Sequence, residues 1–310
     1  MFVIAHKKIF LLISVLTILL AIFSTFFFGL KFGIDFQGGT LMEIGFPADQ
    51  PSFEELEGSL KNADIGTFVL QSSGEDGYII RAGFLSDEDR QVVTEAASVG
   101  GTFEVVEERF NSIGPVVGEE LKKKAWIAIF VTISAIILFI AFAFRKVSQT
   151  SSPREKQRIS SWTYSISAVI ALAHDIIIPV GLFAFLGYWV GAEIDILFIM
   201  ALLAILGYSV NDTIVVFDRV RENLLLDQEN RKNEDFETIV GKSLNQTLFR
   251  SLNTSLTTLF GLAALFVLGG EVVRNFSLAL LVGIIAGTYS SIFLATPLLV
   301  QIQEWRAKKN

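Results

Sequence analysis

The chain contains no cysteine, two histidines and six prolines in 310 residues, and only 18% of it is charged. Without cysteine there is neither a disulfide framework nor a thiolate metal site, and nothing in the sequence reports on redox compartment. The histidines, His6 and His174, stand far apart, and no His/Cys cluster or nucleophile–base pair accompanies them, so no metal or cofactor is expected. A net charge of −7 argues against a nucleic-acid partner. Gly241-Lys242-Ser243 looks like the end of a phosphate-binding loop, but Phe236 stands where that motif requires glycine, so ATP is not implied.

What the chain has instead is apolar length: 52% of its residues are hydrophobic, more than a soluble domain of this size needs. Six segments approach the roughly 20 residues that cross a bilayer. They are Ile9 to Phe28, Ala125 to Phe144, Tyr164 to Tyr188, Ile194 to Phe217, Leu248 to Leu268 and Phe276 to Val300. The first is too long for a secretory signal and has no small-residue cleavage pattern after it, so it reads as a retained anchor. A lipid bilayer is therefore the first expected partner.

Lys and Arg set the orientation. Sixteen of the 25 lie in the N-terminus, segments 145–161 and 218–250, and the C-terminus. Eight of the other nine lie in one long loop that also carries 18 acidic residues, and such loops cross largely regardless of charge. Both termini are expected to be cytoplasmic and the large loop external. Lys122, Lys123 and Lys124, on the outer side of the second helix, run against this pattern.

The large loop, 31–124, separates the first span (1–30) from the remaining five (125–310). It alternates between strand and helix signals: strand Thr40 to Phe46, helix Ser52 to Ala63, strand Thr67 to Ser72, strand Tyr78 to Ala82, helix Ser86 to Val99 and strand Thr102 to Glu108. Ser52 with Glu55 and Ser86 with Asp89 are helix-capping pairs, and Gly74 to Gly77 is a hairpin turn. The order βαββαβ predicts a ferredoxin-like α+β domain inserted between helices 1 and 2, with binding as its role. The segment 218–247, rich in both charges with Val220, Leu224, Phe236, Ile239, Val240 and Leu244 interspersed, predicts amphipathic helices on the cytoplasmic membrane surface.

Asp212 lies inside the fourth span, beside Tyr208, Ser209, Asn211 and Thr213. A carboxylate at membrane depth costs about 3 kcal/mol on insertion scales, so a chain that keeps one commonly uses it in an ion or proton path. The alternative is a polar packing residue bonded to neighbouring helices. Arg250 begins the next span at similar depth, followed by Thr254, Thr257 and Thr258 on one helix face that should turn away from lipid; it is either a partner for Asp212 or a snorkelling anchor. His174-Asp175 in the third span could join the relay, or Asp175 could relieve the break at Pro179. Asp195 fits a helix N-terminus. Asp35, Gly38 and Gly39 read as shaping the exit from the first span, where glycine permits positive φ or close approach.

Two stretches carry a family resemblance: Gly33-Ile34-Asp35-Phe36-Gln37-Gly38-Gly39-Thr40, and Gly207 to Asn223 with Asn211-Asp212-Thr213 at its centre. With one helix, a large loop and five helices in that order, the chain resembles the SecD/SecF family, of the resistance-nodulation-division type of transporters. The resemblance implies half of a pseudo-symmetric twelve-helix assembly in the bacterial inner membrane, with SecD as the other half. It also implies work beside the SecYEG channel on translocating unfolded polypeptide, driven by protons or sodium. By the same resemblance Asp212 matches the family's membrane carboxylate, Arg250 its basic partner, and His174-Asp175 a family pair. Two alternatives stay open: an ion-driven exporter of lipids or small molecules, and a passive membrane anchor with an external binding module.

Overall fold

The structure is a computed structural model that describes residues 2–74, 76–144, 161–232 and 234–309. In chain order its helices and strands are α1 (Phe2–Ala5), α2 (Lys7–Phe28), α3 (Ile34–Gln37), β1 (Gly39–Gly45), α4 (Phe53–Asn62), β2 (Phe68–Ser73), β3 (Gly77–Ala82), α5 (Asp87–Ala97) and β4 (Val106–Ile113). There follow α6 (Pro115–Ala143), α7 (Ser161–Trp189), α8 (Ile196–Asn230), α9 (Phe236–Leu268), α10 (Glu271–Ser290), a π-helical turn (Ser291–Ala295) and α11 (Thr296–Lys309). They form two compact units, Met1–Lys31 with Ala128–Asn310, and Phe32–Ile127.

Among the described residues, six helical stretches are long and apolar enough to cross a bilayer: Lys7–Phe28, Pro115–Ala143, Trp162–Trp189, Ile196–Asn230, Phe236–Leu268 and Val273–Arg306. Pro115 opens α6 well before Ala125, because proline suits a first helical turn and the polar turns after it propagate the helix without adding hydropathy. Lys123 and Lys124 sit in those turns, paired with Glu119 at 3.0 Å and Glu120 at 2.8 Å, so two of the three lysines that run against the charge pattern have acids one turn away.

The segment 218–247 differs from its expectation. It forms no separate surface helices: α8 runs on to Asn230, the chain turns, and α9 starts at Phe236 capped by the Asp235 side chain. Val220, Leu224, Ile239 and Val240 are buried in one cluster with Phe144, Tyr164 and Phe217. An apolar stripe between charges has the same periodicity whether it meets lipid or another helix; here the two helices meet each other. The Gly241–Ser243 stretch lies inside α9, with Lys242 paired to Glu234 and Ser243 accepting from Asn223.

The unit Phe32–Ile127 holds one antiparallel sheet in the order β2-β3-β1-β4. Its core gathers Met42, Ile44, Leu56, Leu60, Leu70, Tyr78, Ile80 and Val93, the inward positions of period-2 strands and of two amphipathic helices. Both helices carry capping boxes, Ser52 with Glu55 and Ser86 with Asp89. Hydrogen bonds from the cap residues' backbone N–H, then from their hydroxyls, hold both acids below the usual carboxylate range. The last strand occupies Val106–Ile113 instead of Thr102 to Glu108, because its alternation continues through Phe110 and Ser112 and pairs with β1 across a bulge at Glu43/Ile44.

Gly38 and Gly39 adopt φ of +76° and +123°, which side chains rarely tolerate. A methyl on Gly38 would lie 2.8 Å from Pro115 Cα, and one on Gly39 would lie 2.9 Å from the Ala82 carbonyl oxygen. Both neighbours are backbone and cannot swing aside. We expect Gly38→Ala to destabilise this unit by about 2 kcal/mol or more, read as a lower unfolding temperature of the full chain in detergent.

Candidate functional site, a buried hydroxyl and carboxylate network

The site is built where α2, α7, α8, α9 and α10 face one another. Small residues let the backbones approach: a methyl on Gly287 of α10 would stand 2.9 Å from Ser209 Cβ on α8, the kind of close contact that membrane helices use to pack. Two carboxylates are enclosed here, Asp175 at 0% exposure and Asp212 at 3%.

Their surroundings differ. Asp175 on α7 accepts from the Ser209 hydroxyl, from Ser290 Oγ at 2.8 Å, and lies 2.9 Å from its neighbour's ring at His174 Nδ1. His174 Nε2 reaches Thr17 Oγ1 on α2 at 3.5 Å, and its ring stacks on Tyr289 at 5.9 Å between centroids. Asp175 is thus held on all sides by polar groups from three helices. Among the described residues, Asp212 on α8 accepts a single long bond, from Ser255 Oγ of α9 at 3.4 Å, and Ser255 in turn lies 2.7 Å from Thr288 Oγ1 of α10. Of the two carboxylates, Asp212 is the one whose protonation disturbs the fewest contacts. Thr213 joins the two halves through Ser291 at 2.9 Å, and Ser291 also donates to the Ser209 carbonyl.

The expected site residues are therefore only partly assembled. Asp212, Thr213, His174 and Asp175 come together in the interior. Asn211 is exposed, and Asp195 is the N-cap of α8, accepting from Phe198 N at 2.8 Å. Asp175 does not relieve the bend at Pro179: α7 is continuous through that proline, and the carboxylate is engaged with α8 and α10. Asp35 sits in the first turn of α3, ahead of the glycine pair.

Arg250 is the principal correction. Together with Thr254 and Thr257 it is exposed, and the geometry gives it no ion pair with Asp212. The face of α9 that meets α8 is the adjacent one, carrying Thr247, Ser251 and Ser255; a step of one residue turns a helix by about 100°. Thr254 Oγ1 donates to its own helix at the Arg250 carbonyl, 2.9 Å away. Of the expected hydroxyl face only Thr258 approaches α8, at Tyr208 OH, 3.3 Å. Ser255, Thr288, Ser290, Tyr289 and Thr17 were not predicted. Their one signal in the sequence is a hydroxyl within an otherwise apolar span, which is too common to single any of them out.

Six apolar helices, five of which close on two buried carboxylates and a shell of hydroxyls, define a multi-pass membrane protein with a polar centre. Comparison with known proteins makes the class specific. The family described as "Protein export membrane protein SecD/SecF, C-terminal" matches residues 92–152 and 159–305, and the SecD/SecF GG motif matches residues 23–46. The protein translocase subunit SecF of Thermobaculum terrenum is 41% identical over 312 residues, covering 96% of this chain and 92% of the relative. SecF of Vibrio alginolyticus is 38% identical over 302 residues, covering 96% and 88%. Among solved structures, SecDF from Thermus thermophilus, a translocon-associated membrane protein, superposes with a TM-score of 0.79 at 32% identity over 97% of this chain. The present chain spans 38% of the length of that SecDF chain. The chain belongs to the SecF proteins of the SecD/SecF protein export family.

Proposed function

We propose that this chain is an accessory subunit of the Sec protein translocase which, with SecD, couples ion flow to late steps of protein export. The observation that carries the coupling is Asp212, 3% exposed and held by one hydrogen bond of 3.4 Å, where a carboxylate without a task would be costly. Protonation alternates its attraction for neighbouring groups, and α8 and α9 repack between the two states. Work is delivered only if those states favour different positions of the unit Phe32–Ile127 and the ion enters and leaves on opposite sides.

Two observations support a second, SecD half. A SecDF chain carries more than this chain's length, since 38% of it is matched. On the present chain Arg250, Thr254, Phe249 and Phe260 form an outward face of α9 that a second helical half would cover. The unit Phe32–Ile127 is a ferredoxin-like module on the outer side of the bacterial inner membrane, both termini are cytoplasmic, and the coupling ion is a proton or sodium.

The test of assembly is co-purification of the tagged chain from native membranes in mild detergent. SecD in near-stoichiometric amount, with SecYEG recovered alongside, is the expected result. Recovery of the chain alone would remove the translocase reading and favour a passive anchor.

A further inference from the structure

We propose that the buried face of α9 is a water-bearing access file that leads from the α8–α9 turn to Asp212, with Ser251 as its positioning residue. The proposal rests on the reading of Asp212 as the titrating group. Four hydroxyl residues recur at intervals of four along α9: Ser243, Thr247, Ser251 and Ser255, all buried. Contacts across the interface fix the register of α9 against α8: Asn223 with Ser243 at 2.8 Å, Arg219 with Gln246 at 2.6 Å, Asp212 with Ser255 at 3.4 Å and Tyr208 with Thr258 at 3.3 Å. The file therefore starts at the polar, solvent-reached end of the hairpin and ends on Asp212.

The decisive residue is Ser251. Hydroxyls inside apolar helices ordinarily bond back to their own helix, as Ser243, Thr247, Thr254, Thr257 and Thr258 do. Ser251 Oγ is 2% exposed at the residue level and has no hydrogen-bond partner among the described residues. A buried polar group in that state is generally met by water. The spacing suits it: four residues rise about 6 Å along a helix, and one water making two hydrogen bonds of about 2.8 Å bridges that gap. One water between each successive pair of hydroxyls makes the file continuous. A proton entering from the turn side is passed as each water gains one O–H bond and gives up another, and the Asp212 carboxylate receives it through Ser255. Val216 of α8, Leu244 of α9 and Ile292 of the π-helical turn form a buried apolar cluster between the same elements.

The absence of cysteine makes the test direct. The chain with Ser251→Cys as its single cysteine is reconstituted with a cysteine-free SecD, and a small charged methanethiosulfonate is added on the side of the α8–α9 turn. We expect Cys at 251 to be modified, since the reagent needs a hydrated thiolate, and a site that stays unmodified overturns the file. In the second arm, gradient-driven proton flux into vesicles is measured against pH on the turn side. Ser251→Val should lower flux about tenfold while Ser251→Thr restores it, and unchanged flux and pH profile in the Val variant would overturn the positioning role. Full flux through Asp212→Asn, with Cys at 251 still modified, would sink the reading of Asp212 and leave the hydrated file standing, so the two failures are distinguishable.

Discussion

Replacing Asp212 by Asn removes gradient-driven stimulation of export, by about 10²-fold or more, while the protein folds, inserts and assembles normally. The amide matches the carboxylate in shape and still accepts from Ser255, 3.4 Å away, but it cannot take up or release a proton. Nothing else in the shell has to move, because Asp212 has so few contacts to lose. The measurement is export by vesicles carrying the variant with its partner, with and without an imposed ion gradient. Export that stays fully responsive to the gradient would mean the buried carboxylate is packing material and the ion passes elsewhere.

Asp175→Ala should have the opposite profile: the protein itself fails. Truncation strands the Ser209 hydroxyl and His174 Nδ1 in a site with 0% exposure and leaves Ser290 only its bond to the Gly287 carbonyl, and each buried polar group left unpaired costs about 1–3 kcal/mol. The expected result is a large fall in unfolding temperature in detergent and poor recovery of the complex. Asp175→Asn, which keeps the volume and one acceptor, should recover much of that stability. A wild-type melting temperature for Asp175→Ala would exclude the bracing role and return the residue, with His174, to the ion path.

The contrast between these carboxylates was not legible in the sequence, where both are acids inside apolar runs. It depends on which hydroxyls from other helices converge on each, and those sit 34 to 115 residues away along the chain. The spans themselves were legible, since hydropathy over some twenty residues is a local property. So were the two capped helices and the glycine pair, whose chemistry is written within a few residues. The hairpin of α8 and α9 was not, because the pattern around Val220 and Ile239 states that a stripe is apolar and leaves its partner unstated. Arg250 fails for a related reason. Helical periodicity correctly groups Arg250 with Thr254, Thr257 and Thr258, but the neighbouring group, Thr247, Ser251 and Ser255, is equally periodic, and only packing chooses between them.

The π-helical turn at Ser291–Ala295 has a consequence for the far end of the last span. One added residue per turn delays the winding, so everything after it is out of phase by about 100° with a continuous α-helix. Before the turn Ser290 faces Asp175; just inside it Ser291 faces Thr213, and Thr296 Oγ1 closes on the Ser291 carbonyl at 2.8 Å. Beyond it, the phase decides that Glu304 meets Lys7, which also holds Glu237 at 3.3 Å. A bulge of this kind can travel along a helix by exchanging one hydrogen bond at a time. Were it to move, the hydroxyls around the carboxylates and the ionic clasp joining three helix ends would be re-timed together, as two readings of one dial.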